Sequence, residues 1–217
     1  AVIKSEPKIV IVKPNLSIKT VKLTPEQEAV LRYQQGLKSQ GSGDIDQARQ
    51  FWQEAIAVDD GMHKARESLA ASFYGANKTA QALSILEQGN KRYPQYEHYR
   101  LLAAQIYFSQ QQPKMALSAL QQPYLDESSS NESLALAGSI AQSMQRWAQA
   151  ELSYKVLNKR QPSHANWLIG LAISLDGQHK LDDAYHRYQQ FILIPNVDQG
   201  LFQYAKNRLS YLEKLRE

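Results

Sequence analysis

Few residues of this chain have the types and spacing that catalysis or metal binding requires. The sequence contains no cysteine, which excludes a thiol nucleophile and thiolate metal ligands. The adjacent carboxylates Asp59–Asp60 and Asp182–Asp183 lie where turns meet helix starts, where they cap helices and complement the helix dipole. No two histidines have the spacing of a helical zinc site with a carboxylate between them, and we expect them at the surface or rim. They are His63, His98, His164, His179 and His186.

Signatures of nucleophilic catalysis and of phosphate binding are also missing. The sequence has no Gly-x-Ser-x-Gly segment and no glycine-rich loop that ends in lysine. We therefore predict that the protein is not an enzyme and that it uses no metal and no cofactor.

A strict internal period indicates which elements position the side chains. Alanines recur every 34 residues, and four residues after each lies a large residue. Twelve residues before each alanine lies a glycine or an alanine. Two helices approach closely only where one side chain is small, so each unit reads as a hairpin of two short helices. The alanines are Ala48, Ala82, Ala116, Ala150 and Ala184; the large residues are Trp52, Leu86, Leu120, Tyr154 and Tyr188.

This unit resembles the tetratricopeptide repeat (TPR) over residues 25–195, and prolines such as Pro94 and Pro162 close the units. The resemblance implies an all-α, right-handed superhelical solenoid of about five helical hairpins with a C-terminal capping helix. We predict a basic, extended tail over 1–23, five TPR-like hairpins over 24–197 and the cap over 198–217. Pro123 departs from the pattern and predicts a shortened second helix in the third unit.

Local signals place several helix starts. Thr24 and Gln27 have capping-box spacing around Pro25, and Ser129 with Glu132 repeats that spacing before the fourth unit. Trp147 lies at the start of a second helix, and Trp167 lies on a first helix before an apolar run. Large aromatic residues at such positions usually fill the space between hairpins, so we predict that both fill the core.

The family resemblance also implies a binding surface. In tetratricopeptide repeats the first helices line a concave groove that receives peptides or partner helices. Tyr33, Tyr74 and Phe108 are aromatic anchors of the kind that dominate binding energy, although packing against neighbouring units is the alternative. Carried onto this chain, the groove candidates are Tyr33, Leu37, Lys64, Glu67, Tyr74, His98, Leu101, Gln105, Phe108, Gln142, Asn166, Ile169 and Asp176.

The net charge of +4 lies in the tail. Residues 1–23 hold five lysines and one glutamate, so residues 24–217 carry 20 basic and 20 acidic residues. A nucleic-acid binder should carry a basic stripe on its folded part, so we expect no nucleic-acid partner. Within the tail, residues 8–13 are strand-like, which favours either a linker or a strand that pairs with a partner.

A second resemblance concerns particular stretches. Residues 66–75, 100–107, 167–176 and 204–209 are similar to the C-terminal repeats of the MshN family. These proteins serve biogenesis of the mannose-sensitive haemagglutinin (MSHA) pilus, a type IV pilus. The resemblance implies a periplasmic scaffold tethered to the inner membrane by an N-terminal segment upstream of Ala1. Its partners would be pilus-assembly components of the inner membrane and the outer-membrane secretin.

Two other functions remain open at this point. Binding of an envelope polymer such as peptidoglycan would use the lysine tail or the groove. Self-association into a homo-oligomer would use residues 8–13 as a pairing strand.

Overall fold

The protein folds into helices that follow one another in hairpins. The computed structural model describes residues 22–121 and 126–215, and those residues form eleven helices and no strand. The tail over 1–21 and Pro123 lie outside the described residues, so the strand expectation for 8–13 is not addressed. The helices are α1 (Pro25–Gly41), α2 (Ile45–Val58), α3 (His63–Gly75), α4 (Thr79–Arg92), α5 (His98–Ser109), α6 (Pro113–Leu120), α7 (Asn131–Ser143), α8 (Trp147–Arg160), α9 (Ala165–Asp176), α10 (Leu181–Ile192) and α11 (Gln199–Lys214).

Five hairpins, from α1–α2 to α9–α10, stack in chain order, and α11 packs on α10. The predicted solenoid with a final capping helix is therefore confirmed. None of the described helices is long and apolar enough to cross a bilayer.

The turn inside each hairpin has the same backbone geometry. One residue in each turn has a positive φ, and these residues recur every 34 positions. They are Gly43, Asn77, Gln111, Gln145 and His179, with φ between 56° and 86°. Gly43 and Asn77 are residue types that favour this region, whereas Gln111 and Gln145 are not, so residue type alone does not signal the geometry at every turn.

Helix starts agree with the local signals, with one shift. Thr24 and Gln27 form the predicted capping box of α1, with Pro25 in the first turn. The prediction of Ser129 as the cap of α7 is wrong by one residue, because Ser130 accepts the hydrogen bond from the Ser133 amide. The Ser129 hydroxyl instead accepts from the Asp126 amide and closes the preceding turn.

The third hairpin has the short second helix that Pro123 predicts. The helix α6 has 8 residues, whereas the other second helices have 12 or 14.

The core follows the 34-residue period. All five repeat alanines are fully buried, and the large residues four positions later are at most 6% exposed. In the first and fourth hairpins the small residue is glycine: a Cβ on Gly36 would lie 2.3 Å from the indole nitrogen of Trp52, and one on Gly138 would lie 2.8 Å from the ring of Tyr154. In these two hairpins the large aromatic side chain therefore packs directly on bare backbone.

The prediction that Trp147 and Trp167 fill the core is only partly right. Both are half-buried. Trp167 stacks on His164 with ring centroids 4.1 Å apart and donates its indole N–H to Gln161 at 2.8 Å. Trp147 covers Gly177 at the end of α9, where a Cβ would lie 2.3 Å from the ring. Both rings lie at the edges of the packed layers.

A buried carboxylate links α8 to the turn between α9 and α10. Glu151 is 4% exposed and accepts hydrogen bonds at 2.7 Å from Gln178 and from Lys180. Lys155 pairs with its other oxygen at 2.5 Å. Burial opposes ionisation of Glu151, but these three donors outweigh it and lower its pKa to about 2.

This network predicts an acid-sensitive contribution to stability. A carboxyl whose pKa is lower in the folded state stabilises the fold above its unfolded pKa, near 4.5, and loses that effect as the pH falls towards about 2. Glu151→Gln should therefore cost about 2–3 kcal/mol of unfolding free energy at pH 7 and much less at pH 2.5. Urea unfolding at a series of pH values measures this. A constant difference between the two proteins at every pH would contradict it, and Glu87→Gln, which alters an exposed ion pair, is the control.

Candidate protein-binding groove

The first helices of neighbouring hairpins lie side by side and form one wall. The Tyr74 hydroxyl of α3 is 2.7 Å from the Ser109 hydroxyl of α5. Glu67 of α3 lies 3.0 Å from Nδ1 of His98 at the start of α5. Further along, Gln142 of α7 donates to the Gly170 carbonyl of α9 at 2.8 Å. Four of the groove candidates, Glu67, Tyr74, His98 and Gln142, therefore take part in contacts that join neighbouring first helices.

An apolar cleft opens on this wall between α3 and α5. Its volume is about 270 Å³, and Tyr74, 37% exposed, stands at its rim beside the exposed amide of Gln105. Ala70 and Ala71 provide the depth, because a larger side chain at either position would fill the space. The cleft is lined by Ala70, Ala71, Tyr74, Leu86, Leu102, Gln105, Ile106 and Ser109.

The apolar surface continues onto α1. Leu37 is 41% exposed and Tyr33 is half-buried. Val30 is 44% exposed and lies three residues before Tyr33 on the same face. Sequence reasoning missed Val30, although the spacing Val30, Tyr33, Leu37 follows one side of a helix.

Two candidates are not available to a partner. Leu101 and Ile169 are each 4% exposed and belong to the hydrophobic clusters between repeats. Phe108 is half-buried against the cluster that contains Leu101. Leu101 and Ile169 are therefore core residues. The cluster of Leu101 contains residues of α6 and α7, and that of Ile169 contains residues of α7, α8, α10 and α11.

Two further candidates are engaged in structural contacts. The Asp176 side chain is 10% exposed and accepts from Arg208 of α11 at 2.7 and 2.8 Å, and from Tyr188 at 3.1 Å. Gln142 donates to Ser174 at 2.9 Å as well as to Gly170. Asp176 fixes the final helix on the array, and Gln142 fixes α7 on α9.

The polar candidates give the wall little net charge. Lys64 and Asn166 are exposed, whereas Glu67 is shared between the Tyr96 hydroxyl at 2.7 Å and His98. Burial, followed by the hydrogen bond to Glu67, raises the pKa of Tyr96 well above its usual range. A near-neutral wall with an apolar cleft suits apolar or mixed side chains better than a strongly charged ligand.

An aromatic cluster lies beside this wall. His63 stacks on Tyr96 with centroids 4.0 Å apart, and its Nδ1 is 2.8 Å from the Tyr99 hydroxyl. The ring is half-buried, which agrees with the expected rim position of His63. Within 22–121 and 126–215, no group of three or more His, Asp or Glu side chains could hold a metal ion.

A second cleft of about 380 Å³ lies between α9 and α11. Sequence reasoning missed it because α11 was interpreted only as a cap. The signal was present in the i, i+4, i+7 spacing of Tyr204, Arg208 and Tyr211, which all face the cleft. Its lining is Trp147, Ile173, Asp176, Gly177, His179, Leu181, Tyr204, Arg208, Tyr211 and Leu215.

Comparison with known proteins supports the same fold. Residues 40–106 match the family model of the tetratricopeptide repeat. The structure of YrrB is similar with a TM-score of 0.63 at 15% identity, covering 82% of this chain and 92% of that chain. A tetratricopeptide repeat protein from Parabacteroides merdae has a TM-score of 0.66 at 14% identity, covering 87% and 74%. The pilF protein of Pseudomonas aeruginosa has a TM-score of 0.60 at 14% identity, covering 88% and 91%.

A search of curated proteins finds no match to the sequence. The chain therefore has the tetratricopeptide-repeat fold, and part of it matches the model of that family directly. This fold generally serves as a non-catalytic scaffold for binding other proteins.

Proposed function

We propose that this protein is a non-catalytic scaffold that holds a segment of a partner protein in its concave groove. The apolar cleft between α3 and α5 carries the proposal, because it is open, central on the wall and lined by few polar atoms. An apolar side chain of the partner would enter the cleft, and Tyr74 and Gln105 at the rim would contact its backbone. YrrB is described as having an unusual peptide-binding site, which is consistent with peptide recognition by this fold.

Filling the cleft tests this proposal without removing core atoms. Ala71 is exposed on α3, so Ala71→Trp should occupy the cleft and leave the helix content unchanged. Ala80→Trp places the same side chain on the exposed face of α4, away from the cleft, and is the matched control.

We expect Ala71→Trp to lower partner capture from envelope extract about tenfold or more, because a blocked anchor pocket removes the centre of an interface. Tyr74→Ala should weaken capture by about 1–2 kcal/mol. Circular dichroism checks folding. Equal capture by wild type, Ala71→Trp and Tyr74→Ala would remove the groove from the function.

We propose further that the partners are assembly components of an MSHA-type pilus. The similarity of residues 66–75, 100–107, 167–176 and 204–209 to the MshN repeats supports this assignment. The array would then lie in the periplasm, tethered to the inner membrane, where it meets inner-membrane pilus proteins and the secretin. Crosslinking and mass spectrometry on envelopes of bacteria that carry this pilus test it. Capture of peptidoglycan-bound proteins alone, or of the protein's own copies alone, would favour the alternatives.

A further inference from the structure

A third cleft lies on the opposite face, where the second helices are. It has a volume of about 240 Å³ and lies between α4, α5 and α6. The helix α6, which forms one side of it, ends at Leu120. The lining residues are Leu83, Leu86, Glu87, Asn90, Tyr99, Arg100, Ala103, Tyr107, Met115, Ser118 and Ala119.

The repeat provides an internal comparison for the arginine in this cleft. Arg66 and Arg100 occupy equivalent positions, 34 residues apart, and so do Asp60 and Pro94. Arg66 Nη2 donates to the Asp60 carboxylate at 2.7 Å and to the Asp60 carbonyl at 3.1 Å. Arg100 donates to the equivalent carbonyl of Pro94, but proline has no carboxylate to complete the pair.

No other described residue supplies the missing counter-ion. Among residues 22–121 and 126–215, no carboxylate lies within 4.0 Å of the Arg100 guanidinium nitrogens. Glu97, three residues before Arg100, accepts hydrogen bonds from the Ser130 amide and hydroxyl at 3.1–3.3 Å. Burial lowers the pKa of Arg100, and Glu97 only partly opposes that effect. The guanidinium is therefore half-buried and incompletely compensated.

The cleft also contains an unpaired acceptor. The Oδ1 atom of Asn90 is buried and has no hydrogen-bond donor. The Nε atom of Arg100 is likewise unpaired, but so is that of Arg66, so the difference between the two sites is the carboxylate. The rim acid Glu87 pairs with Lys91 at 2.8 Å. A free anion would satisfy Arg100 alone, whereas a peptide offers a carboxylate to Arg100 and a backbone N–H to Asn90.

We propose that the cleft between α4, α5 and α6 binds a protein segment whose aspartate side chain pairs with Arg100 in the place that Asp60 takes beside Arg66. Apolar residues that flank this aspartate contact Leu83, Met115 and Ala119. The site lies on the face opposite the concave groove and does not depend on the function proposed for it.

A blocked peptide tests this site directly. The probe is acetyl-Ala-Leu-Asp-Leu-Ala-amide, titrated into the ¹⁵N-labelled full chain, with the asparagine peptide as its counterpart. We expect the aspartate peptide to shift the amide resonances of α4, α5 and α6. The asparagine peptide should bind at least about tenfold more weakly than the aspartate peptide. A third peptide, which lacks aspartate but has a free C-terminal carboxylate, tests whether the site recognises a chain terminus instead of an aspartate side chain.

Two variants test the ion pair between Arg100 and the peptide: one removes the cation, and the other supplies a carboxylate within the protein. Arg100→Gln removes the cation and should abolish the preference for aspartate, whereas Lys114→Gln removes an exposed cation of α6 and should not. Pro94→Asp restores an internal carboxylate and should weaken peptide binding about tenfold while raising the melting temperature, so the test stands even if Arg100→Gln fails to fold. The proposal is overturned if wild type binds neither peptide at millimolar concentration, if Pro94→Asp leaves aspartate binding unchanged, or if only the free terminus binds.

Discussion

Trp52→Ala should remove about 3–5 kcal/mol from the free energy of unfolding, the largest loss we expect from a single substitution in this chain. The indole is fully buried between α1 and α2 and lies directly on the bare backbone of Gly36. Alanine would leave a large cavity that the two helices cannot close, because Gly36 has no side chain to move into it. Urea unfolding followed by circular dichroism measures the change.

A second substitution at position 52 distinguishes the effect of lost side-chain volume from the effect of the unsatisfied indole N–H. The Trp52 indole N–H has no hydrogen-bond acceptor, so Trp52→Phe removes an unsatisfied donor together with part of the ring. We expect Trp52→Phe to cost less than half as much as Trp52→Ala. Hydrogen exchange should show the loss concentrated in α1 and α2. A change below about 1 kcal/mol for Trp52→Ala would mean that the first hairpin is not held by this side chain.

Gly170→Ala should destabilise the protein by about 1–3 kcal/mol, although alanine favours helices over glycine by about 0.5–1 kcal/mol. Tyr154 is 6% exposed and its ring lies between Gly138 of α7 and Gly170 of α9. A Cβ on Gly170 would lie 2.5 Å from the ring, and one on Gly138 would lie 2.8 Å from it. The tyrosine has no free side towards which it can move.

Gly75→Ala is the matched control for this prediction. Gly75 ends α3, and a Cβ there meets no atom within 4 Å. It should be neutral or stabilise the fold by up to about 1 kcal/mol. Replacing Tyr154 with leucine should relieve much of the clash, so the double variant Tyr154→Leu/Gly170→Ala should lose less than the sum of the two single losses. Equal stability of wild type and Gly170→Ala would show that α7, α8 and α9 pack more loosely than these distances indicate.

Much of the fold could be predicted from the sequence because its signals are local. The 34-residue period places Ala48 and Trp52 on one side of a helix, and the capping box at Thr24 starts α1 from neighbouring residues. Pro123 likewise predicts a short α6, since proline removes a backbone donor wherever it lies.

The binding surface was less predictable. Leu101 and Leu37 both fit a first-helix groove position, yet Leu101 is 4% exposed and Leu37 is 41% exposed. The two leucines occupy different positions of the 34-residue unit: Leu37 is equivalent to Ala71 and Gln105, which are also exposed. Leu101 packs in a cluster with residues of α6 and α7. The cleft between α4, α5 and α6 was not anticipated either, because its lining comes from three helices, and the sequence does not show that α6 packs beside Arg100.

The sequence by itself determined the repeat, the hairpins and the absence of thiol chemistry, because each depends on residue types at short range or at a constant interval. Only the tertiary structure decided which polar groups remain free. Asp176 is occupied by Arg208 from 32 residues away, whereas Arg100 lacks the carboxylate that Arg66 receives from Asp60. The pairing of Asp176 depends on the distance between helices that are remote in the chain, which is set by the packing of whole hairpins, and the state of Arg100 depends on which carboxylates the surrounding helices bring within reach.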